Sequence, residues 1–133
     1  MNLYLDASAL VKRYVDEVGS DEVVAAMNAA DMWSMCRIGF VETVGAVARE
    51  GELEDVARVK HDWVGFHVVE LDQLLAERAA TLVVDHGLRA LDAIHLAAAL
   101  NLSVDDRTVA TWDARLHRAA RERGLRTLPA SLA

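Results

Sequence analysis

Five short, mostly apolar stretches, NLYLD, DMWSMCR, HVVEL, TVATWD and LRTLPA, punctuate this chain, and longer helical patterns fill the gaps between them. Those patterns run over 8–17, 20–30, 37–50, 52–65, 72–86, 89–102 and 113–123, with glycines 19, 51, 87 and 124 standing as breakers. Alternation of this kind predicts an α/β domain whose mainly parallel sheet is covered by helices on both faces. In open sheets of that type, sites form beyond the carboxyl ends of the strands, near the point where strand order reverses. The last residue of each strand is therefore where chemistry is to be sought.

Length and charge narrow the function. At 133 residues the chain is expected to be one domain, 1–133, able to bury about two-thirds of its unfolded surface. No apolar run approaches the roughly 20 residues of a membrane span, and the start lacks the features of a signal peptide. Cys36 is the single cysteine, which excludes an internal disulfide and suits a reducing compartment, so a cytoplasmic protein without a membrane partner is expected. The net charge of −7 argues against a generic nucleic-acid binder held by phosphate contacts. The charge is uneven, however. From Arg107 onward six arginines stand against Asp113 and Glu122, a +4 tail that leaves −11 for the rest.

Four of the acids occupy awkward places. LYLDASAL and VATWDARL both run from an apolar strand into Asp-Ala and then a helix, so neighbouring strands would bring Asp6 and Asp113 side by side. Each reads equally well as a helix N-cap, a use of Asp that stabilises by about 1 kcal/mol. Asp92 lies in GLRALDAIHLAAALNL, a helix apolar almost all round, where an unpaired carboxylate carries a desolvation penalty. Its ordinary partner would be Arg89, or it would cap a later helix start. Glu42 interrupts IGFVETVGAVARE on a face with Gly39, Gly45 and Ala46, and its ordinary partner would be Arg49.

Taken together, Asp6, Glu42, Asp92 and Asp113 predict four carboxylates converging on one pocket. Such a cluster repels itself without a cation, and an oxygen-only donor set favours Mg²⁺ or Mn²⁺ over zinc. A cation of that kind serves phosphoryl chemistry by activating and orienting water. Ser8 and Thr111 could support the ligands, although each also reads as an ordinary cap or strand residue.

The set YLDASALVKRYVDE, VETVGAVAR, LRALDAIHLAAAL and VATWDARLHRAARERGL resembles the PIN-domain family, and within it the VapC toxins of bacterial toxin–antitoxin pairs. The resemblance spans nearly the whole chain. It implies a PIN-like fold with a five-stranded, mainly parallel sheet, and a metal-dependent endoribonuclease that hydrolyses RNA phosphodiester bonds. It implies Asp6, Glu42, Asp92 and Asp113 as catalytic and Mg²⁺- or Mn²⁺-binding residues, with Ser8 as the hydroxyl residue two positions after the first acid. It also implies a VapB-like antitoxin partner and a homodimer. Where some relatives carry a further acid, this chain has Arg115, which weakens the case for a second metal.

The remaining features read as follows. Arg115 and Arg118 share a helix face and are candidate RNA contacts, though a solvated polar face accounts for them too. His95, three residues after Asp92, could reach the same pocket but reads as a core or packing histidine without a catalytic role, and Trp112 reads as a packing residue that could also stack on a base. Two rival functions stand beside the nuclease. One is a haloacid-dehalogenase-like phosphotransfer enzyme with Asp6 as nucleophile, which would need an acid where Ser8 stands. The other is an idle binding module on a PIN fold.

Overall fold

The computed structural model describes residues 1–132; Ala133, the last residue of the domain expected over 1–133, lies outside the described residues. The chain folds as β1 (Asn2–Leu5), α1 (Ala7–Leu10), a 3-10 turn (Val11–Arg13), α2 (Ser20–Ala29), β2 (Met32–Cys36), α3 (Arg37–Glu50), α4 (Leu53–Trp63), β3 (Phe66–Val69), α5 (Gln73–His86), α6 (Ala90–Leu100), β4 (Arg107–Ala110), α7 (Ala114–Glu122) and β5 (Arg126–Leu128). All five expected strands are present, and their pairing is parallel throughout, in the order β3-β2-β1-β4-β5. This is the α/β architecture that the strand–helix alternation predicts.

Side chains of alternate strand residues face opposite sides of the sheet, and each side carries its own core. Tyr4, Cys36, Val69 and Val109 pack under α5, α6 and α7, against residues such as Leu75, Leu82, Leu96 and Leu116. Leu3, Leu5, Met35, Phe66 and Ala110 pack under α1 to α4, against Leu10, Val23, Met27, Val47 and Val59. Helices cover both faces, as parallel sheets require.

The chain builds outward from β1 through β2 to β3, then returns to lay β4 on the other side of β1. Strand order reverses between β1 and β4, with Leu5 opposite Ala110 in register. A crevice at the carboxyl ends of these two strands is where such a sheet binds ligands. Asp6 follows β1 there, and Asp113 stands three residues beyond the end of β4.

One expectation is corrected. The first helix was expected over 8–17, but it is helical only to Leu10 and tightens into a 3-10 turn that ends at Arg13. Tertiary contacts override the periodicity here. Lys12 Nζ pairs with Glu17 at 2.9 Å and lies 4.8 Å from the centre of the Trp112 ring, while the Tyr14 hydroxyl donates to Asp62 at 2.7 Å. The loop closes at Gly19, whose φ of +93° favours glycine and where a Cβ would stand 2.6 Å from the Trp112 ring. Trp112 thus packs between Lys12 and Gly19, the packing role expected of it.

Candidate metal centre at the carboxyl edge of the sheet

Asp6 is buried, and all its hydrogen bonds are local to the crevice. Oδ1 accepts the backbone N–H of Ala9 at 2.9 Å, which caps α1, and the Ser8 hydroxyl at 2.7 Å. Oδ2 accepts the Thr111 hydroxyl at 2.6 Å. Ser8 Oγ in turn accepts the Trp112 N–H at 2.9 Å, and Thr111 Oγ1 accepts the Asp113 N–H at 3.1 Å. Two hydroxyls thus tie the end of β1 to the segment after β4 and fix the Asp6 carboxylate between them. Ser8 and Thr111 both donate to Asp6, the supporting arrangement expected of them.

Asp113 caps α7 through Oδ1, which accepts the N–H groups of Arg115 and Leu116 at 3.0 Å each. Its other oxygen has no protein partner among the described residues. The two readings of the strand-end acids are therefore compatible: a carboxylate caps with one oxygen and keeps a lone pair for something else.

Asp92 is half-buried in the first turn of α6, which starts at Ala90, one residue from the expected start at 89. It neither caps the helix nor pairs with Arg89, and among the described residues it makes no hydrogen bond or ion pair. Burial, followed by the charges of Asp113 and Asp6, pushes its carboxyl up to about 6. Burial also raises the Asp6 carboxyl, and the three hydrogen bonds it accepts offset part of that. These shifts place Asp92 within electrostatic reach of both strand-end acids.

Glu42 does not meet Arg49. Its Oε1 lies 2.7 Å from His95 Nε2, and His95 Nδ1 lies 2.8 Å from the Tyr4 hydroxyl. His95 is buried, so the reading of it as a mere packing residue is corrected: it joins α6, α3 and β1 at the site. The signal for it was a tyrosine on a core strand, whose hydroxyl demands a partner when buried.

Arg115 and Arg118 are exposed on α7, which Asp113 caps. Among the described residues, no Lys, Arg or amino terminus forms an ion pair with Asp6, Glu42, Asp92 or Asp113; His95 is the sole basic partner, at Glu42.

Donor chemistry decides what this arrangement can hold. Among the described residues both oxygens of Asp92, one of Asp113 and one of Glu42 lack protein partners, and all are hard donors suited to Mg²⁺ or Mn²⁺. Among the described residues, however, no group of three or more His, Cys, Asp or Glu stands arranged to hold a metal ion. In donor type the residues suit a hard cation that keeps most of its water shell, and they do not form a closed protein cage.

Comparison with known proteins bears on the family and the fold. A family model described as PIN domain matches residues 3–122. The chain is 37% identical to ribonuclease VapC45 of Mycobacterium tuberculosis (strain CDC 1551 / Oshkosh), across 98% of this chain and 96% of that protein. Its fold matches the crystal structure of Mycobacterium tuberculosis VapC20, a sarcin-ricin loop cleaving toxin, with a TM-score of 0.76 at 13% identity, over 89% of this chain and 95% of the other. It also matches a toxin–antitoxin complex from Klebsiella pneumoniae, with a TM-score of 0.67 at 18% identity, over 86% and 88% of the two chains.

Proposed function

The chain belongs to the PIN-domain family, and from that membership and the acid cluster we propose that it is the endoribonuclease toxin of a VapBC-type pair. What supports the reading, beside family membership, is that Asp92 feels the charges of Asp113 and Asp6 at the β1/β4 crevice, while Glu42 is tied to the Asp92 helix through His95 and none of the four acids forms an ion pair with Lys or Arg among the described residues. Residues 1–133 form one PIN domain in this proposal, a reading supported by the family match over 3–122 and by β5, which completes the sheet at Leu128.

Asp6, Glu42, Asp92 and Asp113 are proposed to hold Mg²⁺ or Mn²⁺. When bound, the cation would supply charge stabilisation on the phosphodiester oxygens and an activated water for in-line attack. The protein's own work is positional. Ser8 and Thr111 fix both oxygens of Asp6, and the α7 N-terminus fixes Asp113 through one oxygen. Arg115 and Arg118 extend from the same helix into solvent and would meet RNA phosphates, offsetting the repulsion between the acidic body and a polyanion.

A VapB-like antitoxin and a second copy of the chain are the partners in this proposal. The similar fold seen in a toxin–antitoxin complex supports the first, and family membership supports the second. Light scattering is expected to give the mass of a dimer. Among the described residues no helix is long and apolar enough to cross a membrane, which fits the proposed action on RNA in the cytoplasm.

PIN-family membership displaces the haloacid-dehalogenase-like alternative, and Ser8 donates to Asp6 where that chemistry would need an acid. The idle binding module is tested together with the enzyme. Total cellular RNA incubated with the wild type and Mg²⁺ is expected to be cleaved, and neither the wild type in EDTA nor Asp6→Asn is expected to cut. Cleavage that survives both chelation and the substitution would place the active site elsewhere. No cleavage by the wild type on any RNA would leave the binding module as the better account.

A further inference from the structure

Glu42 differs from the other three acids in how it is held. Asp6 and Asp113 sit at helix starts, fixed by backbone N–H groups, and Asp92 stands in the first turn of α6. Glu42 projects from the middle of α3, more than a turn from its start, on a side chain with three rotatable bonds and about 27% exposure. Without a partner it would sample several rotamers, and a ligand that must be ordered on each binding event weakens affinity.

The partner is supplied from inside the core. The Cys36 N–H donates to the Tyr4 hydroxyl oxygen at 3.0 Å, and that hydroxyl lies 2.8 Å from His95 Nδ1. His95 Nε2 lies 2.7 Å from Glu42 Oε1. Counting donors favours one arrangement of the protons. The Tyr4 oxygen already receives the Cys36 N–H, so its own proton goes to His95 Nδ1. Nδ1 is then an acceptor, and Nε2 carries the hydrogen that is donated to Glu42. If Nδ1 were protonated instead, the buried Tyr4 proton would lose its acceptor, which is costly in a dry site.

Local packing is built around that ring. Gly39 lies one turn before Glu42 on α3, and a Cβ there would stand 3.0 Å from His95 Cε1 and 2.6 Å from Met35 Cγ. The bare glycine lets the imidazole lie against the helix that carries Glu42. The Tyr4 and His95 rings meet edge to face, with centroids 5.9 Å apart. The ring is thus gripped by β1, α3 and its own helix α6.

We propose that His95 is a positioning residue for Glu42: held by Tyr4 with Nε2 as its donor, it anchors one Glu42 oxygen so that the carboxylate is preset for a divalent cation. The inference rests on the reading of Glu42 as a ligand and adds the chain Cys36–Tyr4–His95–Glu42 as its support. Partners of this kind typically change metal affinity by about 10- to 100-fold when removed.

The first measurement uses the unaltered, metal-free protein. Long-range ¹H–¹⁵N spectra of the imidazole are expected to show His95 protonated at Nε2 only, and a spectrum with the hydrogen on Nδ1 would overturn the proposal. The second is Mn²⁺ titration by calorimetry of full-length variants that retain the wild-type circular dichroism spectrum. His95→Leu and Tyr4→Phe are expected to lose about tenfold or more in Mn²⁺ affinity. His95→Gln, whose amide can still donate towards Glu42, is expected to stay within about threefold of wild type. Equal affinity for Tyr4→Phe and the wild type, or equal losses for His95→Gln and His95→Leu, would overturn the positioning role alone. A wild type that binds no Mn²⁺ would overturn the site reading and this inference with it.

Discussion

The two ends of the same sheet treat their acids in opposite ways. At the amino end, Asp31 lies 2.7 Å from the Met1 ammonium, and Asp106 lies 3.4 Å from that ammonium and 2.8 Å from Arg126. The ammonium hydrogen-bonded to Asp31 holds its carboxyl below the ordinary value. At the carboxyl end, burial and neighbouring acids push the Asp92 carboxyl up to about 6, and burial raises that of Asp6. One chain, with arginines to spare in its last segment, pairs its acids where only the fold is at stake. Where strand order reverses it gives none of them a Lys or Arg ion pair among the described residues, and Asp92 has no hydrogen-bond partner there at all. An acid that costs stability and has no structural partner marks a place where something else can supply the positive charge.

The largest expected effect comes from neutralising one member of that cluster. Asp92→Asn should reduce RNA cleavage by more than about 100-fold, since a group acting on charge developed in the reaction is lost. The same change should raise the unfolding free energy at pH 7 by about 1–2 kcal/mol, after allowing for solvent screening of a half-buried group. Denaturant melts beside cleavage assays check both. Loss of activity together with loss of stability would make Asp92 a structural acid and erase the contrast between the two ends.

Next in size is the response to the cation. Mn²⁺ at about 100 times its dissociation constant should stabilise the wild type by about 2.7 kcal/mol, seen as a rise in Tm that EDTA reverses. Asp6→Asn and Asp92→Asn should show little of this rise. An equal rise in all three proteins would mean that the ion binds away from the carboxyl edge.

Much of this was legible in the sequence because strand ends are written in it. All five strands, and six of the seven helices to within a few residues, follow from apolar runs and glycine breaks; the repeated Asp-Ala after β1 and near the end of β4 points to neighbouring strands. The first helix was misjudged because its end is set by contacts distant in sequence, Lys12 with Trp112 and Tyr14 with Asp62. The expected partners Arg89 and Arg49 are near in sequence, whereas the partner Glu42 finds is 53 residues away. A single histidine on an apolar helix carries no periodic signal. Only the fold shows that Tyr4 and Glu42 reach its two nitrogens.

The pH dependence separates the two ends by sign. Asp92 has a raised carboxyl in the folded state, so between about pH 4 and 6 the native protein holds a proton that the unfolded chain has released. Its contribution therefore falls as pH rises through that window, and the metal-free wild type should lose about 1–2 kcal/mol across it relative to Asp92→Asn. Chemical denaturation at pH 4.5 and 6.5 reads this as a difference between two differences, which cancels the other titrating groups. Parallel behaviour of the two proteins would show that Asp92 is not the group responsible.

Asp31 provides the opposite case and the smallest effect. Its carboxyl is lowered in the folded state, so its contribution is present above the unfolded value and lost as pH falls through the folded one. The pair is exposed, with 79% of the Asp31 side chain open to solvent, and exposed pairs are screened to near nothing. Asp31→Asn should leave RNA cleavage and Mn²⁺ affinity at wild-type levels and lower Tm at pH 7 slightly or not at all. Because it removes the same single negative charge, it controls for net charge, which changes from −7 to −6 in both Asp31→Asn and Asp92→Asn. If the two substitutions changed cleavage alike, the cause would be the charge of the whole molecule acting on a polyanionic substrate. If Asp92→Asn alone abolishes cleavage, the effect belongs to its place beside Asp6 and Asp113.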